Sequence, residues 1–201
     1  MPDWQAEAII LSVRPHGEGS AVISVLTADY GRHAGLVRGG ASSKMRGIMQ
    51  PGNRVRVSWR ARLSEQLGQM QIELVQSVPA LLLDSPLRLS GVASMCALLD
   101  GALPEREAQP GLFEGSAALL DVIVLDDDNA GWVEGYVRWE LGLLAAVGYR
   151  LDLARCVASG QTSDLAFVSP KSGSALARHQ AGSFATVSYT HLRAHETLRY
   201  L

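Results

Sequence analysis

Arg54-Val55-Arg56-Val57-Ser58-Trp59-Arg60-Ala61-Arg62 alternates polar and apolar residues without a break. Successive side chains of a β-strand point to opposite faces, so this spacing predicts a strand and assigns its faces. Val55, Val57, Trp59, Ala61 and then Leu63 fall on the core side. Arg54, Arg56, Arg60 and Arg62 fall on the other, as one cationic row. The row ends a longer basic run. Arg32, Arg38, Lys44 and Arg46 precede it, and no Asp or Glu stands between Arg32 and Arg62. Such a segment repels itself unless an anion lies against it, and a polyphosphate backbone is an anion of that length. Arg stems covering apolar surface on a solvated strand are the plainer alternative.

Strands surround this one. Ala6–Val13 and Ser20–Thr27 are rich in β-branched and apolar residues, separated by the Pro- and Gly-punctuated Arg14–Gly19. Arg32–Arg38 returns after the turn at Ala28–Gly31, the loop Gly39–Gly52 follows, and Asn53–Leu63 and Gln69–Val78 complete five strands. Five short strands at hairpin spacing predict a small Greek-key barrel of the OB type, with an SH3-like barrel as the nearest competitor.

At Pro79 the period changes. Leu89, Val92, Ala93, Cys96, Leu99 and Leu103 recur at intervals of three and four, as do apolar residues across Leu112–Leu125 and Trp132–Val147. Gly148 suits the position after a helix end. The fold class is therefore α+β: an N-terminal five-stranded OB-fold barrel, a helical bundle and a small C-terminal lobe. The expected divisions are 1–79 for the nucleic-acid-binding barrel, 80–150 for the helices, 151–186 for an incomplete lobe and 187–201 for a tail.

Charge divides the same way. Residues 1–79 hold nine basic and six acidic groups, net +3. Residues 80–150 hold four basic and eleven acidic, net −7. Two modules with different partners are implied. With 47% apolar residues the chain can build a core. No apolar run approaches the roughly 20 residues of a membrane span, and the N-terminus lacks a leader pattern. A cytoplasmic, nucleoid-associated location with reduced Cys96 and Cys156 is expected.

Catalytic patterns are missing. Gly39-Gly40-Ala41-Ser42-Ser43-Lys44 lacks the spacing of a phosphate-binding P-loop. No nucleophile elbow occurs. Lys171-Ser172-Gly173 reads as a turn, Asp126-Asp127-Asp128 as a solvated inter-helix turn, and His191 with His195 supply too few ligands for a metal. His16 and His33 stand in or beside loops, as solvated groups or phosphate contacts. A non-enzyme without cofactor or metal is expected.

Several runs resemble the bacterial RecO recombination-mediator family. They are Arg14–Ser20, Leu26–Arg32, Val37–Lys44 with Gln50-Pro51-Gly52, then Trp139-Glu140-Leu141, Leu144, Gly148-Tyr149, Leu151–Leu153, Cys156 and Val168–Gly173, in order. The resemblance covers about residues 1 to 180. It implies an OB-fold domain, a helical domain and a C-terminal lobe. It implies binding of single- and double-stranded DNA, annealing of complementary strands, and help in loading recombinase onto DNA covered by single-strand-binding protein. RecR and the C-terminal tail of single-strand-binding protein are the implied protein partners; no membrane is. The four-cysteine zinc site of some members is reduced here to Cys156, so zinc binding is expected to be lost. The run Val187–Leu201 does not resemble the family and reads as a non-native tail on a truncated chain. An OB-fold RNA-binding protein of the translation machinery shares the basic face. A structural adaptor acting through the acidic helices is the third possibility.

Overall fold

The computed structural model describes residues 3–126, 131–169 and 172–180. The Asp127–Asp128 part of the acidic run, Lys171, His191, His195 and the tail from Val187 lie outside the described residues. The chain divides into two compact units, residues 1–139 and 140–201.

The first unit is built on a closed barrel. Its strands are β1 (Asp3–His16), β2 (Ser20–Thr27), β3 (Gly31–Val37), β4 (Arg54–Arg60) and β5 (Gln69–Gln76), in the order β1-β2-β3-β5-β4. β1 pairs antiparallel with β4 through its first half and with β2 through its second, and β3 meets β5 in parallel. That circuit is the OB arrangement. A register shift between Ile10 and Ser12 lets the long β1 bend from one partner to the other.

The alternation in β4 sets the core. Val55, Val57, Trp59 and Ala61 are buried with Ala8, Ile10, Ile23 and Val25 from β1 and β2. Each fully buried Val or Ile contributes roughly 1.5–3 kcal/mol. Leu63 departs from the expectation and is 60% exposed. The strand ends at Arg60, so the period-two assignment no longer holds three residues further on.

The Gly39–Gly52 segment contains α1 (Ser43–Arg46), and Met49 beyond it is buried in the barrel core. Asn53 fixes this segment, its buried amide donating to the carbonyls of Gly47 (3.0 Å) and Ile48 (2.9 Å). Gly52 has φ +88°, and a Cβ there would lie 2.3 Å from Val92 Cγ1. Only glycine allows the turn and the close approach together.

The helices are α2 (Val78–Leu81), α3 (Pro86–Ala102), α4 (Pro110–Leu125) and α5 (Gly131–Ala146). α3 packs on β1, where the Cys96 thiol donates to the Ile10 carbonyl at 3.5 Å. Burial pushes that thiol up to about 12. Arg88 of α3 donates to the carbonyls of Ile123 (3.3 Å) and Asp126 (3.0 Å) at the end of α4. Carbonyls there lack intrahelical donors, so the guanidinium satisfies what the helix leaves open. The described helices include none long and apolar enough to cross a membrane.

In the second unit β6 (Leu165–Val168) pairs antiparallel with β7 (Ala175–Ala177). Asp152 bridges to this hairpin, its N–H donating to Gly173 (3.0 Å) and its carbonyl accepting from Ala175 (2.8 Å). Cys156 is buried beneath the hairpin.

Candidate nucleic-acid interface

The eight basic residues do not form one surface. Arg32 leaves the outer face of β3 and donates through Nε to the Leu103 carbonyl at 2.7 Å. Its Nη1 lies 3.5 Å from both Asp100 and Glu105, and its side chain is only 18% exposed. Arg54 reaches α4, where it donates to the Ala117 carbonyl and pairs with Asp121 at 3.0 Å. Its side chain is 24% exposed. Both arginines hold the barrel against the helices, so their charge is spent inside the fold.

The cationic row expected on β4 is thus broken at its start. It is diluted further along. Arg56 stands between Glu7 of β1 and Glu73 of β5 in register and pairs with Glu73 at 3.3 Å. Arg60 stands opposite Asp3, with the charged atoms 3.9 Å apart and its side chain 72% exposed. Exposed pairs at this distance are worth little and exchange readily with a stronger anion. Arg62 lies beyond the strand, exposed in the β4–β5 loop. Arg38 follows β3 and is exposed, as is Arg46 at the end of α1, while Lys44 stands within α1.

Arg38 and Arg60 come together at a cleft of about 680 Å³. Trp4, Met45, Trp59 and Ile72 supply apolar wall, while Gln5, Ser58, Gln69 and Gln71 supply hydrogen-bonding groups. Asp3 also lines it. The cleft opens where β3 and β5 diverge, since their pairing is confined to Leu36 and Gln69. It is an amphipathic slot with guanidinium groups at its edge.

The aromatic residues beside the cleft stack on one another. Trp4 lies on Tyr30 with centroids 4.4 Å apart and on Trp59 at 5.7 Å. Trp59 Nε1 donates to the Leu67 carbonyl at 2.9 Å. His33 is a correction to the sequence reading. It lies in β3, within the expected third strand, but it is buried rather than solvated, with its ring edge-on to Trp4 (5.1 Å) and Trp59 (4.7 Å). Neither ring nitrogen has a hydrogen-bond partner. Burial, and then the nearby Arg106 charge, lower its pKa to about 4. The ring is neutral at physiological pH and makes no phosphate contact. Position alternation with Gly31, Gly35 and Val37 was the signal for its inward direction.

In the second unit, the Ala177 N–H donates to Cys156 Sγ at 3.3 Å. A hydrogen bond from the Ser159 side chain is the main cause that draws this thiol down to about 7, with the Ala177 bond next. Among the described residues no three His, Cys, Asp or Glu side chains gather as a metal site.

A family model, "Recombination protein O N terminal", matches residues 1–78, and its companion, "Recombination protein O C terminal", matches residues 83–201. The chain belongs to the recombination protein O family. It is 50% identical over 176 residues to the DNA repair protein RecO of Rhodospirillum centenum, covering 87% of this chain and 69% of that protein. Against the RecO of Jannaschia sp. it is 47% identical over 183 residues, covering 91% and 73%. Against that of Cereibacter sphaeroides strain ATCC 17029 it is 49% identical over 185 residues, covering 92% and 75%. The family ties the chain to DNA repair and recombination.

Proposed function

We propose that the chain binds DNA at the rim of the barrel cleft, through Arg38, Lys44, Arg46, Arg56, Arg60 and Arg62. It anneals complementary strands and helps load recombinase onto single-stranded DNA covered by single-strand-binding protein. RecR and the acidic tail of single-strand-binding protein are its protein partners, in the cytoplasm at the nucleoid. The observation that carries this is the meeting of Arg38, just past the end of β3, and Arg60, at the end of β4, at one amphipathic cleft. Guanidinium groups take phosphate oxygens in a planar fork. Phosphate contacts of this kind fix register without reading bases, which suits a protein that must accept any sequence. The aromatic rings are occupied with one another, so backbone contact rather than base stacking supplies the affinity.

Arg32 and Arg54 drop out of the contact set, because each already has carboxylate and carbonyl partners within the fold. A strand-annealing assay with and without single-strand-binding protein tests the activity. Arg38→Ala with Arg60→Ala should slow annealing of every sequence alike. Equal annealing by the double variant, or a preference for RNA over DNA in competition, would refute the proposal.

A further inference from the structure

Arg106 lies between α3 and α4 with φ +64°. Residues with a Cβ seldom hold that conformation unless the surroundings impose it. Here three segments meet. The Arg106 N–H donates to the Arg32 carbonyl at 2.7 Å, beside the parallel bridge from Arg32 to Glu105. The neighbouring Gly31 has φ +60°, and a Cβ there would sit 1.8 Å from the Glu107 carbonyl oxygen. The Arg106 guanidinium then crosses to the β4–β5 loop, where Nη1 donates to the Ser64 carbonyl and Nη2 to the Gln66 carbonyl at 2.8 Å.

That loop starts at the end of the arginine-bearing strand. Leu63 and Leu67 are exposed, so apolar burial contributes little to holding it. Its other hydrogen bonds among the described residues are single: Ser64 Oγ to the Glu65 carboxylate (3.2 Å), Gln66 N–H to Leu63 (3.2 Å), Trp59 Nε1 to Leu67 (2.9 Å) and Leu36 N–H to Gly68 (3.1 Å). Among the described residues, the fork of Arg106 is the contact that grips two loop carbonyls from outside the barrel.

We propose that Arg106 is a positioning residue for DNA binding: its fork fixes the β4–β5 loop so that Arg62, two residues beyond the Arg60 that lines the cleft, is held in place before a strand arrives. The inference rests on the cleft reading given above. A loop fixed in advance loses less freedom on binding, and that saving appears as affinity. The planar guanidinium suits two carbonyls at once, whereas a lysine ammonium on a flexible stem does not replace the fork.

The test compares Arg106→Lys, which keeps the charge, with Arg106→Asn, which tolerates positive φ without the charge. Affinity for a fluorescent single-stranded oligonucleotide is measured in the full chain and again in an Arg62→Ala background. Hydrogen exchange of the amides at 62–68 is followed in parallel. Both variants should bind about fivefold more weakly, with faster exchange confined to the loop. In the Arg62→Ala background neither should weaken binding further. Retained affinity in Arg106→Lys alone would make Arg106 a direct phosphate contact and overturn the proposal. The same loss in both backgrounds would make its role general to the fold and overturn it too. An Arg62→Ala chain that binds as tightly as the parent would remove Arg62 from the contact set and overturn the proposal as well. Equal binding by the Arg38→Ala with Arg60→Ala chain would refute the cleft reading itself, whereas the other outcomes refute only the role of Arg106.

Discussion

Arg54 and Arg60 project from the same face of one strand, and the molecule uses them in opposite ways. Arg54 runs under α4 and meets a carboxylate at 3.0 Å and a helix carbonyl, with a quarter of its side chain exposed. Arg60 ends at the mouth of a cleft, three-quarters exposed, with its nearest carboxylate 3.9 Å away. The residue type and the strand period are identical. What differs is the element that arrives from elsewhere in the chain. A row of like charges in sequence therefore describes a strand face, and tertiary partners decide which of its members remain free to bind an anion.

The comparison is broken most readily at its buried end. Arg54→Ala removes the donor to the Ala117 carbonyl and leaves Asp121 without its partner. A loss of about 2 kcal/mol is expected, the range for deleting a hydrogen-bonded charge at a partly buried site. A urea midpoint unchanged from the parent would return Arg54 to the solvated surface. Arg32→Ala should behave alike, since its Nε bond to Leu103 is equally enclosed.

Acid tests the enclosed aromatic end of the barrel. His33 has a folded pKa of about 4 against 6.5 when unfolded. Between those values the unfolded chain takes a proton that the folded chain refuses. The neutral ring's contribution is complete above pH 6.5 and is lost as pH falls toward 4. The total is on the order of 3 kcal/mol. Thermal melts across that window should show the decline, and His33→Phe should flatten it. An equal slope in parent and variant would mean that carboxylates alone set the acid limit.

At the open end the stability effects should be smallest. Arg60→Ala and Arg62→Ala are each expected to change unfolding free energy by less than about 0.5 kcal/mol. A larger loss would place them with Arg54 as structural groups.

How much of this was legible beforehand differs between the two kinds of contact. The barrel core was readable because Val55, Val57 and Trp59 alternate, and alternation is a local property. β1 was readable only from Ala6 to Val13, because its ends are strands by virtue of β4 and β2 supplying hydrogen bonds. The short α1 carries too little periodicity to declare itself within a glycine- and serine-bearing loop. Of the candidate site, the arginines were visible and their partners were not. Asp100 and Leu103 lie some seventy residues from Arg32, and no spacing rule connects them. The cleft joins the end of β3 to the end of β4, which only the barrel circuit brings together.

The salt dependence of single-strand binding tests the division of labour most directly. Each phosphate neutralised releases counterion, and log affinity falls with log salt by about 0.7 per contact on single strands. A chain with Arg38→Ala, Arg60→Ala and Arg62→Ala, confirmed folded by circular dichroism, should have a slope shallower by about 2 on that rule. Arg54→Lys, which keeps the charge at the helix contact, should leave the slope unchanged. A triple variant with the parent's slope, or an Arg54→Lys chain with a shallower one, would contradict the assignment of the free arginines to DNA and the enclosed ones to the fold.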